Sequence, residues 1–416
     1  MTSRAAPTEA GHFLINGAKI FISGGDQSFT ENIVHLVLAR IDGAPAGTRG
    51  ISLFAVPKHR VSATGDLEPN DVHVSGVIHK IGWRGLPSVA LAFGDQNDCR
   101  GYLVGAPNQG LRCMFQMMNE ARIMVGVNAA ATASVAFHES VAWAQERRQG
   151  RLLGSVDPDQ PQVTLMRHPD VRRMLLRQKS IVEGSLCLLA ITARAADLSQ
   201  HATEPTLRER SKLLLDLLTP MAKSFPSEKG FEANALALQI HGGYGYSSEY
   251  PPEGWLREQK LNSIHEGTTS IQSLDLLGRK AVAGGGAALT ILHEEVSVEL
   301  ARAKQLGVSC EAVAHGLERL VTVTSTLGLR GAQGDLEGML GHSADYLDFA
   351  STLVIGWMWL KMELAVHGRD DDFAQGLRAA SQYWQVTELT RLDAVAERCE
   401  SNERSYLDAT AAQFEA

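Results

Sequence analysis

The sequence predicts an α+β fold that is mostly helical, in which an antiparallel β domain precedes a four-helix bundle and a second helical bundle. Three observations predict this order. Short apolar runs separated by turn residues fill positions 12–105, apolar residues with helical spacing follow from position 107, and three consecutive glycines interrupt them at 284–286. Short runs bounded by turns are typical of strands, and an i, i+3, i+4 spacing is typical of helices. The predicted domains are residues 1–106, 107–283 and 284–416.

The β domain begins with a pattern typical of a hairpin. "HFLI", the pair Asn16 and Gly17, and "AKIFIS" follow one another, and Asn-Gly supplies the positive φ angles of a type I′ turn. "IVHLVLARI", "GISLFAVP", "VHVSGVIHKIG" and "VALAFGD" continue in the same style, with no helix-length segment between them. These runs predict an antiparallel sheet that forms a small barrel or part of a sandwich.

Four helical segments are predicted before the glycines. Residues 110–150 are rich in Ala and Met and contain no proline, which indicates one or two buried helices. Residues 168–200 and 206–240 indicate two more. Thr269 and Gln272 have the spacing of a capping box at the start of a fourth. The tail is expected to be helical at 287–304, 311–327, 335–366 and 374–399, with a shorter helix at its end.

The composition is that of a globular chain without a nucleic-acid partner. Its 416 residues, 44% of them hydrophobic, suffice for a large core in two or three domains. A formal net charge of -8 and a pI near 6.0 lack the basic signature of a nucleic-acid-binding protein. The five cysteines lie far apart, with neither metal-ligand nor disulfide spacing, and are interpreted as packing residues in a reducing compartment. No metal site is predicted.

No export signal or membrane span is predicted. The opening "MTSRAAPTEAG" lacks the apolar core of a signal peptide, so a cytoplasmic location is expected. The most apolar run, "FASTLVIGWMWL" in the tail, is shorter than the ~20 residues that a spanning helix needs. It therefore predicts a buried helix.

Three stretches are candidates for chemistry, and the residues alone leave each open. Glu266 precedes a helix start, where it is either a solvated acid favoured by the helix dipole or a base. "QIHGGYGY" at 239–246 follows a helix, so it is not the strand-to-helix GxGxxG fingerprint. Its glycines either end that helix or allow a ligand to approach the backbone. "ERRQGR" at 146–151 is either a solvated helix end or a phosphate contact.

The order of six motifs resembles the acyl-CoA dehydrogenase family. In chain order they are "GAKIFISGG", "GISLFAVPK", "KIGWRGLPS", "ERRQGR", "QIHGGYGY" and "IHEGTTSIQSLDLLGRK". The resemblance extends from about residue 12 to residue 283, and the last two motifs at this spacing are highly specific. From residue 287 the tail resembles the extra C-terminal helical domain of a subfamily that includes the dehydrogenases of 3-methylthiopropanoyl-CoA.

The resemblance implies an FAD-dependent oxidoreductase that converts an acyl-CoA thioester to a trans-2-enoyl-CoA. In the family a glutamate removes the α-proton while the β-hydrogen leaves as hydride to flavin N5, and that glutamate falls on Glu266. A weakly acidic α-C–H needs a base of raised pKa in a dry pocket. Apolar neighbours such as Ile264 are expected to exclude water from the carboxylate.

The resemblance also assigns binding roles by position. The flavin-binding positions of the family fall on Phe21, Ile22, Ser23, Arg147, Gln239, Gly242, Gly243, Thr268 and Gln272. Those near acyl-CoA fall on Asn119, Arg122, His265 and Gly267. Gln239, Gly242 and Gly243 are expected to hold the adenosine side across a subunit interface. His265 stands where the family commonly has tyrosine.

The implied partners are an acyl-CoA substrate, an electron acceptor such as an electron-transfer flavoprotein, and further copies of the chain in a homo-oligomer. Acyl-CoA dehydrogenases begin with a helical domain and a first flavin-binding sheet segment that have no counterpart in this sequence. The β domain is therefore expected to be incomplete. An alternative expectation is a non-catalytic family member that acts as a scaffold or partner subunit.

Overall fold

The chain divides into two compact units, Met1–Glu120 and Ala121–Ala416. The structure, a computed structural model, describes residues 2–154, 157 and 159–415. The first unit is a β-sheet with the beginning of a long helix, and the second is helical. The predicted fold class is confirmed, whereas the division into three domains stays a prediction.

The β unit contains a small barrel, as predicted. Its strands are β1 (Arg4–Pro7), β2 (Phe13–Ser23), β3 (Val34–Ile41), β4 (Ile51–Pro57), β5 (His59–Val61), β6 (Leu67–Pro69), β7 (Val72–Ile78), β8 (Ser88–Phe93) and β9 (Arg100–Val104). The main sheet has the order β1-β3-β4-β9-β2-β8-β7, and β1 also pairs with β2. Strands β1, β3, β4, β9 and β2 therefore close into a ring. Ile15, Phe54 and Phe93 are buried in one apolar cluster that forms the core of this unit.

The predicted hairpin at Asn16 and Gly17 is wrong. Strand β2 runs through both residues without turning, and β1 pairs beside it with Arg4 opposite Asn16. Gly17 has a φ of 143°, and a Cβ on it would lie 2.8 Å from Ser3 Cα. The glycine is needed because a neighbouring segment passes close to the backbone, which local sequence does not reveal.

Helix α1 (Gly110–Glu146) is a single long helix, and the helices that follow lie in the second unit. They are α2 (Pro169–His201), α3 (Pro205–His241), α4 (Pro252–Gln259), α5 (Thr269–Asp275), α6 (Ala287–Leu306), α7 (Glu311–Ala332), α8 (Leu336–Leu340), α9 (Ser343–Ala365), α10 (Asp372–Thr387), α11 (Leu392–Ser401), α12 (Ser405–Asp408) and α13 (Ala411–Phe414). Helices α2, α3 and α4 each begin with proline, whose fixed φ suits the first helical turn. The three linker glycines have φ values of 58°, 67° and 84°.

The tail helices pack on the preceding bundle within the same unit. Helix α9 is buried along most of its length, and its Trp359 Nε1 donates a hydrogen bond of 3.1 Å to the Ser180 carbonyl on α2. A Cβ on Gly184 would lie 2.8 Å from Ile355 Cγ2, so this glycine permits the close contact of α2 with α9. The apolar run of the tail is therefore core, as predicted. Among the residues that the structure describes, none of the helices has the length and hydrophobicity of a membrane-spanning segment.

All five cysteines are free thiols. Cys99, Cys310 and Cys399 are buried, and the other two are half-buried. Burial raises the pKa of both Cys99 and Cys399 to about 12. These thiols are thus protonated at neutral pH, which agrees with a packing role.

Candidate active site

Glu266 lies in a tight turn between α4 and α5 and has a left-handed backbone conformation. Its φ is 54°, and that of Gly267 is 90°. Among described residues other than Gly, Asn and Asp, a positive φ occurs at Phe21, Trp83 and Glu266. Such a conformation costs on the order of 1–3 kcal/mol and persists only where its surroundings enforce it. Phe21 and Glu266, the residues predicted to face the flavin and the substrate α-carbon, therefore both have strained backbones.

The side chain of Gln272 stabilises the turn that contains Glu266 and Gly267. Its side chain is fully buried, and its Nε2 donates to the carbonyls of Glu266 at 3.2 Å and Gly267 at 3.3 Å. Two hydrogen bonds from this buried amide fix the backbone conformation of Glu266 and so the starting point of its side chain. Gln272 is thus a positioning residue for Glu266, while its contact with a cofactor stays a prediction.

Replacing Gly267 with alanine is expected to disrupt this turn. A Cβ at this position would lie 2.8 Å from Gln272 Nε2, and the φ of 90° disfavours any side chain. We expect Gly267→Ala to lower the free energy of unfolding by about 1–3 kcal/mol in chemical denaturation. Gly254→Ala on α4 is the control, because its Cβ meets nothing within 4 Å. A loss at Gly267 no larger than at Gly254 would contradict the proposed fit.

Helix α5 begins one residue earlier than its predicted capping box. Thr268 is the N-cap, and its hydroxyl accepts from Ile271 N at 3.4 Å. The hydroxyl of Thr269 instead donates to Glu228 on α3. The capping box is wrong because both of its side chains have other partners: Thr269 ties α5 to α3, and Gln272 supports the turn.

The Glu266 carboxylate lies on the surface of the helical unit. Glu266 is exposed, and Ile264 is 54% exposed. Ile264 therefore does not desolvate the carboxylate within this chain, contrary to expectation. Exclusion of water has to come from a molecule or surface that covers the turn.

A group of buried charges lies near the turn. Arg122 of α1 is 2% exposed, and its Nη1 lies 3.2 Å from Asp275 Oδ2. Lys280 Nζ lies 3.4 Å from the same oxygen. Arg122, predicted to contact acyl-CoA, is thus paired with Asp275, and the sequence analysis missed both Asp275 and Lys280. Asn119, its companion in the prediction, is half-buried on α1 in the first unit.

Lys223 of α3 belongs to the same group and was also missed. Its side chain is fully buried, and its Nζ has no hydrogen-bond partner among the described residues. Burial lowers the pKa of Lys223 to about 8. Burial also lowers the pKa of the half-buried His265, and the Lys223 charge lowers it further. His265 is therefore neutral at pH 7.

A second cluster brings together Arg147, Gln239, Gly242 and Gly243 around one cavity of about 830 Å³. Its other lining residues are Trp143, Gln149, Gly150, Leu165, His168, Val171, Met174, Ile240, His241, Tyr244, Ser247 and Glu249. The motifs "ERRQGR" and "QIHGGYGY", about ninety residues apart in the sequence, thus face the same space. None of residues 264–272 lines this cavity.

The cavity combines a cation, an amide and aromatic rings. The Arg147 guanidinium lies 5.3 Å from the centre of the Tyr244 ring, and Trp143 stacks on His241 with ring centres 5.0 Å apart. Gly242 ends α3 with a φ of 62°, and a Cβ on Gly242 or Gly243 would meet nothing within 4 Å. Trp143 was missed by the sequence analysis, although it lies four residues before Arg147 at the end of α1, and Arg147 N donates to its carbonyl at 2.9 Å.

The main chain after α1 fixes Arg147. Leu165 N donates to the Arg147 carbonyl at 2.8 Å, and Gln149 N donates to the Val163 carbonyl at 2.9 Å. His168 Nε2 lies 2.7 Å from the Gln149 carbonyl oxygen. The backbone of Arg147 is therefore held by hydrogen bonds between two short segments, although its side chain is exposed.

The remaining predicted residues lie on β2 in the β unit. The pairing of β2 with β8 shifts register between Lys19 and Ile22, and Phe21 at this bulge has a φ of 61°. Phe21 is 70% exposed, Ile22 packs against the barrel core, and Ser23 pairs with Ser88. Bulges redirect side chains, and this one presents an aromatic ring to its surroundings.

Two family models match the chain. "Acyl-CoA dehydrogenase, C-terminal domain" matches residues 108–281, and "Acetyl-CoA dehydrogenase C-terminal like" matches residues 292–410. A curated relative, the 3-methylmercaptopropionyl-CoA dehydrogenase of Ruegeria pomeroyi, is 34% identical over 98% of this chain and 70% of its own length.

Solved structures share the fold. Caenorhabditis elegans ACDH-11 in complex with C11-CoA aligns with a TM-score of 0.78 at 22% identity, over 99% of this chain and 66% of its own. An acyl-CoA dehydrogenase from Bacillus anthracis complexed with FAD aligns with a TM-score of 0.76 at 20% identity, over 96% and 66%. This chain thus spans about two thirds of the length of these proteins. Together with the relative from Ruegeria, these matches confirm the resemblance carried by the motifs: the chain belongs to the acyl-CoA dehydrogenase family of flavin-dependent oxidoreductases.

Proposed function

We propose that this chain carries the base and part of the cofactor site for the α,β-dehydrogenation of an acyl-CoA thioester to a trans-2-enoyl-CoA. The observation that supports this most strongly is the Glu266 turn. The Glu266 backbone is left-handed (φ 54°), and the buried Gln272 amide donates hydrogen bonds to the main-chain carbonyls of Glu266 and Gly267. A backbone fixed in an unfavourable conformation in this way is expected where a side chain has a functional role.

The residues around the 830 Å³ cavity suit the adenosine and pyrophosphate parts of FAD. The Arg147 guanidinium offers charge and a donor fork for phosphate oxygens. Gln239 offers an amide, and the rings of Trp143 and Tyr244 offer stacking surfaces. The open space beside Gly242 and Gly243 lets a ligand approach the main chain. The FAD bound by the related Bacillus anthracis enzyme supports this assignment.

Phe21, Ile22 and Ser23 are proposed to face the flavin ring, and Thr268 to contact the same cofactor. The exposed Phe21 ring offers an apolar face, and the Ser23 hydroxyl offers a donor. When bound, FAD accepts the β-hydrogen as hydride. It is proposed that Gln239 and its neighbours act on the FAD of another copy of the chain, which makes a homo-oligomer part of the proposal.

Glu266 takes the α-proton onto a carboxylate oxygen, and the electrons of the broken C–H bond form the new double bond as the β-hydride leaves. A bound acyl-CoA would cover the exposed carboxylate and exclude water, which strengthens it as a base. Neutral His265 and Gly267 flank this position, with Asn119 and the buried Arg122 assigned to the same substrate region. The reducing equivalents then pass to an acceptor such as an electron-transfer flavoprotein.

The substrate is proposed to be an acyl-CoA, and an acyl group that carries a thioether is the first candidate. The name of the Ruegeria relative supports the thioether compound, and the C11-CoA complex of ACDH-11 supports the thioester class. The test set is therefore 3-methylmercaptopropionyl-CoA together with straight-chain acyl-CoAs of increasing length.

The proposal is tested by purifying the chain and recording its visible spectrum before and after anaerobic addition of each thioester. We expect bound flavin, and loss of its absorbance with at least one member of the set. Arg147→Ala is expected to lower the flavin content, because it removes the cation of the cavity. A chain that holds no flavin, and cannot be reconstituted with FAD, would contradict the proposed activity.

A further inference from the structure

Among the described residues, three side chains that can ligate a metal ion converge in the tail of the second unit. They are His342, the N-cap residue of α9, Asp345 in the first turn of α9, and Cys399 near the end of α11. One ligand atom of each residue lies within 4.8 Å of the other two. Sequence spacing did not indicate this cluster, because Cys399 is distant from the other two residues along the chain. The proposed dehydrogenation uses none of the three groups.

The imidazole of His342 is buried with one ring nitrogen unused. The residue has no exposed surface, and its Nδ1 lies 2.8 Å from the hydroxyl oxygen of Tyr406 on α12. Its Nε2 has no hydrogen-bond partner among the described residues. A buried polar atom without a partner is costly in free energy, and a neutral imidazole is the commonest metal ligand in proteins. The ring therefore has the capacity to bind a ligand within the core.

The Asp345 carboxylate is oriented by an arginine. Its Oδ1 accepts from Arg398 Nη2 at 2.9 Å, whereas its Oδ2 lies 3.9 Å from His342 Nδ1. One oxygen is thus held by the protein, and the other faces the histidine. Partners that orient a ligand from outside are typical of metal sites. The Asp345 side chain is 27% exposed, which gives the cluster contact with solvent.

Cys399 contributes a sulfur atom from a fixed main chain. The residue is fully buried, and its carbonyl accepts from Arg330 Nη1 at 2.5 Å. Arg330 also donates to the carbonyl of Glu400. The two arginines next to the cluster are therefore engaged with main-chain carbonyls or with Asp345 Oδ1, and they leave the thiol and Asp345 Oδ2 for a ligand.

We propose that His342, Asp345 and Cys399 form a binding site for a divalent transition-metal ion, with Zn²⁺ as the best match. Nitrogen, sulfur and carboxylate oxygen are the ligands that Zn²⁺ takes in proteins, whereas Mg²⁺ and Ca²⁺ take oxygen ligands. Bonds of about 2.0–2.3 Å place tetrahedral ligands roughly 3.3–3.7 Å apart, so movements of about 1 Å close the three groups on an ion.

Charge and protons balance when such an ion binds. The Cys399 thiol loses its proton to solvent as sulfur coordinates the metal. The resulting thiolate and the Asp345 carboxylate neutralise the two positive charges of the ion, and solvent supplies the fourth ligand. A bound ion would join α11 to the start of α9.

Co²⁺ is the probe, because it occupies zinc sites and a thiolate bound to it gives a charge-transfer band in the near ultraviolet. The full chain is purified without a histidine tag, treated with a chelator and titrated with Co²⁺, and difference spectra are recorded against the metal-free protein. We expect about one ion per chain together with the thiolate band. Zn²⁺, which favours a tetrahedral site with sulfur, is expected to displace Co²⁺ and abolish the band.

Cys399→Ser and Asp345→Asn each remove one ligand. We expect the thiolate band to be lost in Cys399→Ser, and the affinity for Co²⁺ to fall at least about 10-fold in Asp345→Asn. Cys310→Ser is the matched control, because Cys310 is a buried free thiol outside the cluster. It should keep both the band and the affinity. If Cys399→Ser does not fold, Asp345→Asn, at a partly exposed position, still tests the site.

A wild-type protein that gives no thiolate band with Co²⁺ would overturn the inference. The same band in Cys399→Ser, or an unchanged affinity in Asp345→Asn, would do so as well. None of these measurements depends on flavin content or on turnover of a thioester, so the inference stands or fails separately from the proposed dehydrogenation.

Discussion

Glu266→Gln is expected to retain bound flavin but to lose dehydrogenation. Glutamine keeps the size and backbone preference of glutamate, so the turn held by Gln272 stays intact, whereas an amide cannot accept the α-proton. A positioned general base contributes roughly 10²–10⁴-fold, and the rate of anaerobic flavin bleaching should fall by that factor. Stopped-flow absorbance with a substrate of the wild-type protein measures it.

Two controls separate loss of the base from loss of structure. Glu397→Gln changes an exposed glutamate on α11 and should bleach at the wild-type rate. Glu266→Asp keeps a carboxylate but shortens its reach by one methylene, so an intermediate rate is expected. Unchanged bleaching in Glu266→Gln would remove this residue from its proposed role.

Asp275→Asn is expected to be the most destabilising of the substitutions considered. The Asp275 side chain is 10% exposed and is the shared counter-charge of Arg122 and Lys280, which are 3% and 7% exposed. Asparagine removes the carboxylate that pairs with both buried cations. Breaking a buried ion pair from one side costs about 3–5 kcal/mol, and we expect a loss of that size in the free energy of unfolding.

Chemical denaturation followed by circular dichroism measures this loss. Asp170→Asn is the matched control, because its pair with Arg173 is on the surface with the aspartate 72% exposed. Surface pairs contribute about 0–1 kcal/mol, so that variant should remain close to the wild type. Similar values for the two substitutions would contradict the view that Asp275 neutralises a buried site.

Much of the fold was predictable because the spacing of apolar residues that distinguishes helices from strands is visible within a single short segment of sequence. The helical spacing of apolar residues over 206–240 predicted α3, which extends over Pro205–His241. Gly17 was misinterpreted because its need for glycine comes from Ser3, a residue that local patterns do not connect to it. The capping box failed for the same reason, since Thr269 bonds to Glu228, 41 residues earlier.

The candidate site was predictable only in part. The specific motifs of the family contain Glu266, Arg147 and the glycines at 242 and 243. The structure places Arg147 and these glycines at one cavity. The burial of Arg122 and the buried Lys223 and Lys280 were not predicted, because a lysine or arginine within a helical pattern is usually on the surface. Arg122 and Asp275 are 153 residues apart in the sequence, and their pairing depends on how α1 and α5 pack.

The role of Glu266 is tested most directly by exchange of the α-protons of acyl-CoA with solvent. The protein is incubated in D₂O with the thioesters named above, and deuterium at C2 is followed by ¹H NMR and mass spectrometry. We predict incorporation by the wild type and by Glu397→Gln, with a decrease of at least about 10²-fold in Glu266→Gln. Incorporation by Glu266→Gln at the wild-type rate would show that another group removes the proton and would contradict the central claim.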